Sequence, residues 1–91
     1  MAIIVAGKLI LKPGSRDEFI EKSSEAILLA RKNDACEDFS VSPDPIDMNR
    51  VNIFERWKSR SELNSFQDSG PENGLFSLVE YFDVHEYEIN T

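Results

Sequence analysis

The chain has few of the residues from which disulfide frameworks and metal sites are built. It carries one cysteine, Cys36, and one histidine, His85, among its 91 residues. A single cysteine cannot form an internal disulfide, and structural zinc requires a cluster of Cys and His ligands. Asp44 and Asp47 lie near each other but lack the glycine and the distant glutamate of a calcium loop. We therefore expect no disulfide and no metal site.

Positive charge is also scarce. The chain has 10 Lys and Arg residues against 17 Asp and Glu residues, which gives a net charge of −7. No run of basic residues interrupts this balance. Because a phosphate backbone or an anionic membrane surface attracts proteins through cationic side chains, we expect neither nucleic acid nor membrane as a partner.

A long hydrophobic run is the third feature that is missing. The most apolar stretch, "AIIVAGKLIL" at residues 2–11, is interrupted by Gly7 and Lys8. It is well short of the ~18 residues that a membrane span needs, and no basic segment precedes it as in a signal peptide. We interpret it as a first strand and expect a cytoplasmic protein.

The composition that remains is typical of a soluble globular protein. It is 41% hydrophobic and 30% charged, and its length fits a single domain over residues 1–91. A domain of this size buries only about 60–65% of the surface that its unfolded chain exposes. Association with a second copy is therefore an expected source of further stability.

Periodicity predicts the first half of the fold. The β-branched stretch 2–11 predicts a strand that is covered on both faces, and Pro13 with Gly14 ends it. Ser15 and Glu18 form an S-x-x-E capping box, which predicts the start of a helix. Apolar residues then recur every three or four positions and predict an amphipathic helix of about five turns that ends near residues 31–33.

The second half alternates strands and a helix. "CEDFSVSPDP" and "RVNIFERW" predict an antiparallel pair, with Glu55 and Trp57 on one face, and a second S-x-x-E box at Ser59 predicts another helix. "DSGPENG" then breaks that helix, "LFSLVEYF" predicts a short helical turn, and "FDVHEYEI" predicts a last strand. The apolar residues of this strand change from even to odd positions between Val84 and Tyr87, which suggests a bulge in that strand.

The order strand, helix, strand, strand, helix, strand predicts an α+β fold. It is the ferredoxin-like βαββαβ arrangement, an antiparallel four-stranded sheet with helices on one face. No sequence remains to cover the other face of this sheet. We therefore expect a homodimer in which two sheets pack against each other.

A set of residues between positions 36 and 63 carries a resemblance to a known family. They are Cys36, Phe39, Val41, Asp44, Asp47, Asn49, Arg50, Phe54, Glu55, Trp57, Ser59 and Leu63. This pattern resembles the antibiotic biosynthesis monooxygenase family of dimeric α/β barrels, which includes small quinol monooxygenases. The turn at residues 13–14 and the helix start at residues 17–19 are also similar to that family.

The resemblance implies a monooxygenase that uses O₂ on a small hydroxylated aromatic or a quinol, without metal or flavin cofactors. The anion of such a compound donates an electron to O₂ readily, so the protein needs to bind the ring, favour the anion and exclude water. Some members carry a histidine near the position of Phe66. The haem-degrading branch also carries an asparagine near Gly7, so haem degradation is not expected. A non-catalytic binding module on the same scaffold is the alternative.

Two pairs of residues are the first candidates for this site. Trp57 and Phe66 would form apolar walls of a pocket, although both residue types also pack in ordinary cores. Glu55 and His85 are the candidate catalytic proton acceptors. The alternatives are a structural carboxylate for Glu55 and an exposed or structural imidazole for His85.

Two polar residues of the third strand complete the list of candidates. Asn52 could donate a hydrogen bond to an oxyanion, and Arg56 could contact an oxygen-bearing ligand or form a surface salt bridge. The alternation of a strand places both on the face opposite to Trp57. Asn52 reaches the same ligand as Trp57 only if the strand bulges.

Overall fold

The computed structural model describes residues 1–69 and 74–90. Its elements are the strand β1 (Ala2–Leu11), the helix α1 (Arg16–Arg31), the strands β2 (Cys36–Pro43) and β3 (Arg50–Trp57), the helix α2 (Arg60–Ser69), a 3₁₀ helix (Leu75–Leu78) and the strand β4 (Val79–Ile89). The predicted order of elements is confirmed. The predicted break at residues 68–74 lies for the most part outside the described residues.

The four strands form one antiparallel sheet in the order β2-β3-β1-β4. β1 is a central strand, and its residue Val5 lies opposite Glu55 of β3 on one side and Glu86 of β4 on the other. This is the ferredoxin-like arrangement that the sequence predicts. No helix of the described residues is long and apolar enough to cross a membrane.

One face of the sheet is covered by the helices and holds the core. Ile3, Val5, Leu9 and Leu11 of β1 alternate toward this face and are all buried. They meet buried residues of the helices and of β3, which are Phe19, Ala30, Val51, Trp57 and Leu63. The prediction that helices lie on one face of the sheet is confirmed. The register of the strands also identifies which side chains of the sheet point toward the helices.

The second face of the sheet has no helix over it. Its side chains include Ile4, Ile10, Phe54, Tyr81, Tyr87 and Ile89, and Tyr81 and Tyr87 are exposed. The expected bulge between Val84 and Tyr87 is wrong, because β4 pairs with β1 without a shift from Tyr81 to Ile89. Val84 faces the helices and Tyr87 faces the open side. The change of parity therefore arises because apolar residues occur on both faces of β4.

The starts of the two helices follow the predicted positions but not the predicted capping. α1 begins directly after Ser15, whose side chain makes no capping hydrogen bond. Glu18 pairs instead with Lys22, at 3.0 Å between carboxylate and ammonium. At the start of α2 the Ser59 hydroxyl accepts a long hydrogen bond of 3.4 Å from the Glu62 amide. The full capping box is therefore wrong for α1 and half realised for α2.

The loop between β2 and β3 is held by Asp44. Its carboxylate accepts hydrogen bonds from the amides of Asp47 and Ile46, at 2.8 and 3.0 Å, and from the Asn52 side chain at 3.1 Å. These donors, the Asp47 amide first, lower the pKa of Asp44 to about 2. Arg16 donates to the carbonyls of Asp44 and Asp47, which ties the loop to the start of α1.

Gly7 is a position where β1 accepts no side chain. Its φ is +149°, and a Cβ built there would lie 2.0 Å from the carbonyl oxygen of Asp83 in β4. We expect Gly7→Ala to lower the free energy of unfolding by about 2–3 kcal/mol, because the strained backbone and the clash both have to be relieved. Urea denaturation followed by circular dichroism measures this loss.

Gly14→Ala is the matched control for Gly7→Ala. Gly14 also has a positive φ, +78°, but a Cβ there would meet nothing within 4 Å. Gly14→Ala should therefore lower the free energy of unfolding only through conformational strain, by about 1 kcal/mol. Equal losses for the two variants would show that the close approach of β4 to Gly7 contributes nothing.

Candidate functional site

A cavity lies between the sheet and its helices. Its volume is about 210 Å³. The residues that line it are Val5, Leu9, Phe19, Ser23, Phe39, Val41, Ile53, Glu55, Gln67, Leu75, Phe76, Phe82 and Val84. Most of this lining is apolar, with Glu55, Ser23 and Gln67 as the polar groups. A few polar groups in an apolar cleft is the usual composition of a small-molecule site.

Two phenylalanines border the opening of the cavity to solvent. Phe76 of the 3₁₀ helix is 65% exposed and Phe82 of β4 is 56% exposed, although both line the cavity. Their ring centroids are 5.6 Å apart. An aromatic ligand that enters the cavity therefore passes between or beside two aromatic faces.

Among the described residues, Glu55 is the carboxyl group that lines the cavity. Alternation along β3 places it on the helix-covered face between Ile53 and Trp57, and Val5 lies opposite it. Burial raises the pKa of Glu55 above its ordinary value of 4.5. A hydrogen bond from Trp57 partly offsets this shift, and the negative charge of Glu86 adds to it.

The neighbouring carboxylates of β4 are paired with a cation, whereas Glu55 is not. Arg60, the first residue of α2, donates to Glu86 and, at 3.5 Å, to Glu88. Within the described part of the chain no salt bridge involves Glu55, and its carboxylate accepts a hydrogen bond from the neutral Nε1–H of Trp57 at 3.0 Å. A buried carboxyl group with a raised pKa and no cation is a competent proton acceptor for a phenol.

Trp57 lies behind the cavity wall and not in it. Its side chain is fully buried, it does not line the cavity, and it contacts the cavity through its hydrogen bond to Glu55. Phe66 packs against Trp57 with ring centroids 5.0 Å apart and against Phe39 at 5.8 Å. The structure thus brings three of the predicted site residues together, Glu55, Trp57 and Phe66, and only the first of them lines the cavity.

His85 lies on the other face of the sheet. It is opposite Ala6 of β1, is exposed, and its Nε2 lies 2.9 Å from the carboxylate of Asp83. The sheet separates it from the cavity. A catalytic role for His85 stays a prediction that this cavity does not require.

Asn52 and Arg56 also lie on the open face, as the alternation of β3 predicts. The Asn52 amide donates to Asp44 in the loop, and Arg56 pairs with Glu37 of β2 at 3.3 Å. No bulge in β3 turns either side chain toward Glu55, since β3 pairs continuously with β1 from residue 50 to residue 57. Their predicted contacts with a ligand therefore have no counterpart at this cavity.

Ser23 is a polar cavity residue that the sequence does not single out as functional. It is buried, and its hydroxyl donates to the carbonyl of Ile20 at 2.9 Å. With its proton engaged in that way, the Ser23 oxygen can act toward a ligand only as an acceptor. The sequence offers one signal that Ser23 could be functional. This serine lies in the apolar stripe of α1, where hydrocarbon side chains are typical.

The structure bears on the two cofactor types that the sequence raises. Gly7 leaves no space for the side chain that the haem-degrading branch carries near that position, since a Cβ would meet the Asp83 backbone. Among residues 1–69 and 74–90, no group of three or more His, Cys, Asp or Glu side chains is placed to hold a metal ion.

Solved structures share this fold at low sequence identity. A conserved protein from Methanosarcina mazei has a TM-score of 0.83 at 20% identity, and the match covers 99% of this chain and 94% of that one. A protein of unknown function from Bacteroides thetaiotaomicron, described as a candidate oxidoreductase, has a TM-score of 0.82 at 15% identity over 97% of both chains. A proposed antibiotic biosynthesis monooxygenase from Nitrosomonas europaea has a TM-score of 0.79 at 11% identity and covers 94% and 88%.

Sequence comparison is more specific than the shared fold. An uncharacterised protein from Synechocystis is 34% identical over 62 residues, which make up 68% of this chain and 42% of that protein. The chain thus spans less than half the length of this curated relative. The model of the family described as antibiotic biosynthesis monooxygenase matches residues 2–72. The resemblance carried by residues 36–63 is confirmed, and the chain belongs to the antibiotic biosynthesis monooxygenase family.

Proposed function

We propose that this protein is a monooxygenase that oxidises a small hydroxylated aromatic or a quinol with O₂ and without a cofactor. The observation that carries the proposal is Glu55, a carboxyl group with a raised pKa in the wall of an apolar cavity. Membership of the monooxygenase family supports the same reaction class. The size of the cavity supports a ligand of one ring, because an apolar cavity of about 150 Å³ holds benzene.

The proposed reaction begins with proton transfer to Glu55. The quinol hydroxyl gives its proton to the carboxylate, and the quinol anion then transfers an electron to O₂. Recombination places one oxygen atom on the ring and releases the other as water, so that hydroquinone and O₂ yield hydroxyquinone and water. The quinol itself supplies the electrons, and the apolar walls exclude bulk water from the reactive intermediates.

A second hydroxyl group on the ring has an available partner in Ser23. The buried Ser23 oxygen can accept a hydrogen bond, and Glu55 accepts a proton from the first hydroxyl. Acceptors at more than one position of an apolar cavity favour a ring with two hydroxyl groups over a ring with one. Hydroquinones are therefore the first compounds to test.

Oxygen uptake with a panel of monocyclic hydroquinones tests the proposed function. We expect O₂ consumption and hydroxyquinone formation above the rate of autoxidation in buffer, with one oxygen atom of ¹⁸O₂ in the product. Phe66 lies where some family members carry a histidine, and the alternative is a binding module without turnover. Tight binding of the hydroquinone with no uptake above autoxidation would establish that alternative.

We propose further that the open face of the sheet is covered by a second copy of this chain. Phe54 is at the middle of this face in β3, and Tyr81 and Tyr87 of β4 are exposed beside β1. Ion pairs between Lys8 and Asp83 and between Arg56 and Glu37 balance charge on or beside the same face. An apolar surface with internally paired charges is suited to association with an identical surface.

Phe54→Asp is expected to dissociate this dimer. Two cations on this face, Lys8 and Arg56, are already paired with carboxylates, so an added carboxylate at the centre of a two-fold interface should weaken association by about 100-fold or more. Light scattering at micromolar concentration measures the mass. Leu28→Asp is the control, since Leu28 is an exposed apolar residue on the outer side of α1. A monomeric mass for the unmodified protein would contradict the dimer.

A further inference from the structure

Phe66 occupies the space behind the inner wall of the cavity. Phe39 and Glu55 form that part of the wall. Phe39 contacts the Phe66 ring directly, and Glu55 contacts it indirectly. Phe39 meets it edge-on, with centroids 5.8 Å apart and an interplanar angle of 65°. Glu55 reaches it through Trp57, whose ring centroid is 5.0 Å from that of Phe66. The next residue of α2, Gln67, lines the cavity directly.

The Phe66 ring fills space between α2 and the aromatic residues Phe39 and Trp57 of the sheet. At about 210 Å³ the cavity has room for an aromatic ring with hydroxyl substituents, since an apolar cavity of about 150 Å³ holds benzene. On its open side the limit is soft, because Phe76 and Phe82 are exposed and their side chains can move. On its inner side the limit is a packed aromatic cluster of Phe39, Trp57 and Phe66.

We propose that Phe66 is the specificity-determining residue that restricts the ligand to a single aromatic ring. This inference rests on the proposed function, because it concerns the ring that Glu55 would deprotonate. Most of the other lining residues belong to sheet strands or are the buried α1 residues Phe19 and Ser23, whose positions are fixed by the core. Phe66 is only partly buried and is supplied by one short helix, so its ring can be removed with less disturbance of the sheet.

Removal of the Phe66 ring should extend the cavity toward Trp57. Phe39 and Glu55 would then line a deeper space in which the second ring of a bicyclic ligand replaces the lost side chain. The hydrogen bond between Trp57 and Glu55 does not involve Phe66, so the proton acceptor should keep its orientation. The predicted effect is therefore on ligand size, with the chemistry of the site unchanged.

Isothermal titration calorimetry with phenol and 2-naphthol tests this assignment, since neither compound is readily oxidised during the measurement. The unmodified protein should bind phenol and should bind 2-naphthol more weakly. In Phe66→Ala the ratio of the affinity for 2-naphthol to that for phenol should rise by about tenfold or more. Phe66→Leu should show a smaller rise in the same direction, and it serves if the alanine variant does not fold.

Ile27→Ala is the matched control. Ile27 packs against the same core cluster from α1 and does not line the cavity, so its truncation should leave the ratio unchanged. If the unmodified protein binds 2-naphthol as tightly as phenol, or if folded Phe66 variants keep the original ratio, the size limit does not come from Phe66. In those two cases the proposed function stands. Failure of the unmodified protein to bind any hydroxylated ring would overturn the proposed function itself.

Discussion

Glu55→Gln is expected to lower kcat/KM for a hydroquinone by about 10²–10⁴-fold, the range that a positioned proton acceptor contributes. Glutamine keeps the shape of glutamate and can still accept the hydrogen bond from Trp57 Nε1, so the cavity should keep its form. What is lost is the ability to take a proton from the ring. Oxygen uptake at a series of hydroquinone concentrations measures the change.

The same substitution is expected to leave the protein at least as stable near neutral pH. The pKa of Glu55 is raised in the folded state above its ordinary value of 4.5, so the folded state binds this proton more tightly than the unfolded state. Stability therefore decreases as pH rises from about 4.5 through the raised pKa. Glutamine carries no charge, so the variant should lack this decrease, and urea denaturation between pH 4 and pH 8 measures it.

Two variants separate this prediction from its alternatives. Glu62→Gln removes a carboxylate from the exposed side of α2 and should leave turnover and its pH dependence unchanged. His85→Ala removes the other candidate proton acceptor, which lies on the opposite face of the sheet. Loss of turnover in His85→Ala together with normal turnover in Glu55→Gln would reverse the assignment of the proton acceptor.

Trp57→Ala is expected to cause the largest loss of stability of any single side-chain truncation in the described residues. Trp57 is the largest fully buried side chain, and truncation of a buried aromatic residue typically costs about 3–5 kcal/mol. Small domains have a total stability of about 5–15 kcal/mol, so this variant should be partly unfolded at modest urea concentrations. Thermal and urea denaturation followed by circular dichroism measure the loss.

Trp57→Phe distinguishes the two contributions of this residue. Phenylalanine keeps most of the apolar packing but has no N–H group to donate to Glu55. We therefore expect a smaller loss of stability, together with a further rise in the pKa of Glu55, since that hydrogen bond is what lowers it. The acidic limb of the pH–rate profile should move to higher pH. A profile identical to that of the unmodified protein would show that the bond does not tune Glu55.

The order and position of the elements were predictable because each has a local signal. β1 occupies residues 2–11 as predicted, and α1 ends at Arg31 within the predicted range. The placement of Glu55 and Trp57 on the same face follows from the two-residue period of a strand, and the register of β3 with β1 confirms it. Family membership was predictable because its residues cluster in one segment around these two positions.

The cavity could not be predicted in the same way. Its lining combines Phe39, Phe76, Phe82 and Ser23, which come from four different elements, and no periodicity relates them. Whether a carboxylate such as Glu55 is buried also depends on how the helices sit over the sheet. The expected bulge in β4 failed for a related reason, because the sequence cannot show that Tyr87 lies exposed on the open face while Val84 faces the helices.

The hydrogen bond between the indole of Trp57 and the carboxyl group of Glu55 gives the protein an intrinsic optical probe. The chain has one tryptophan, so its fluorescence arises from a single environment without interference from other indoles. Indole emission responds to charge and to hydrogen bonding at its N–H group, and here that group contacts the candidate proton acceptor directly. A spectral titration of the unliganded protein therefore monitors the ionisation of Glu55 in place, without a substrate or a label.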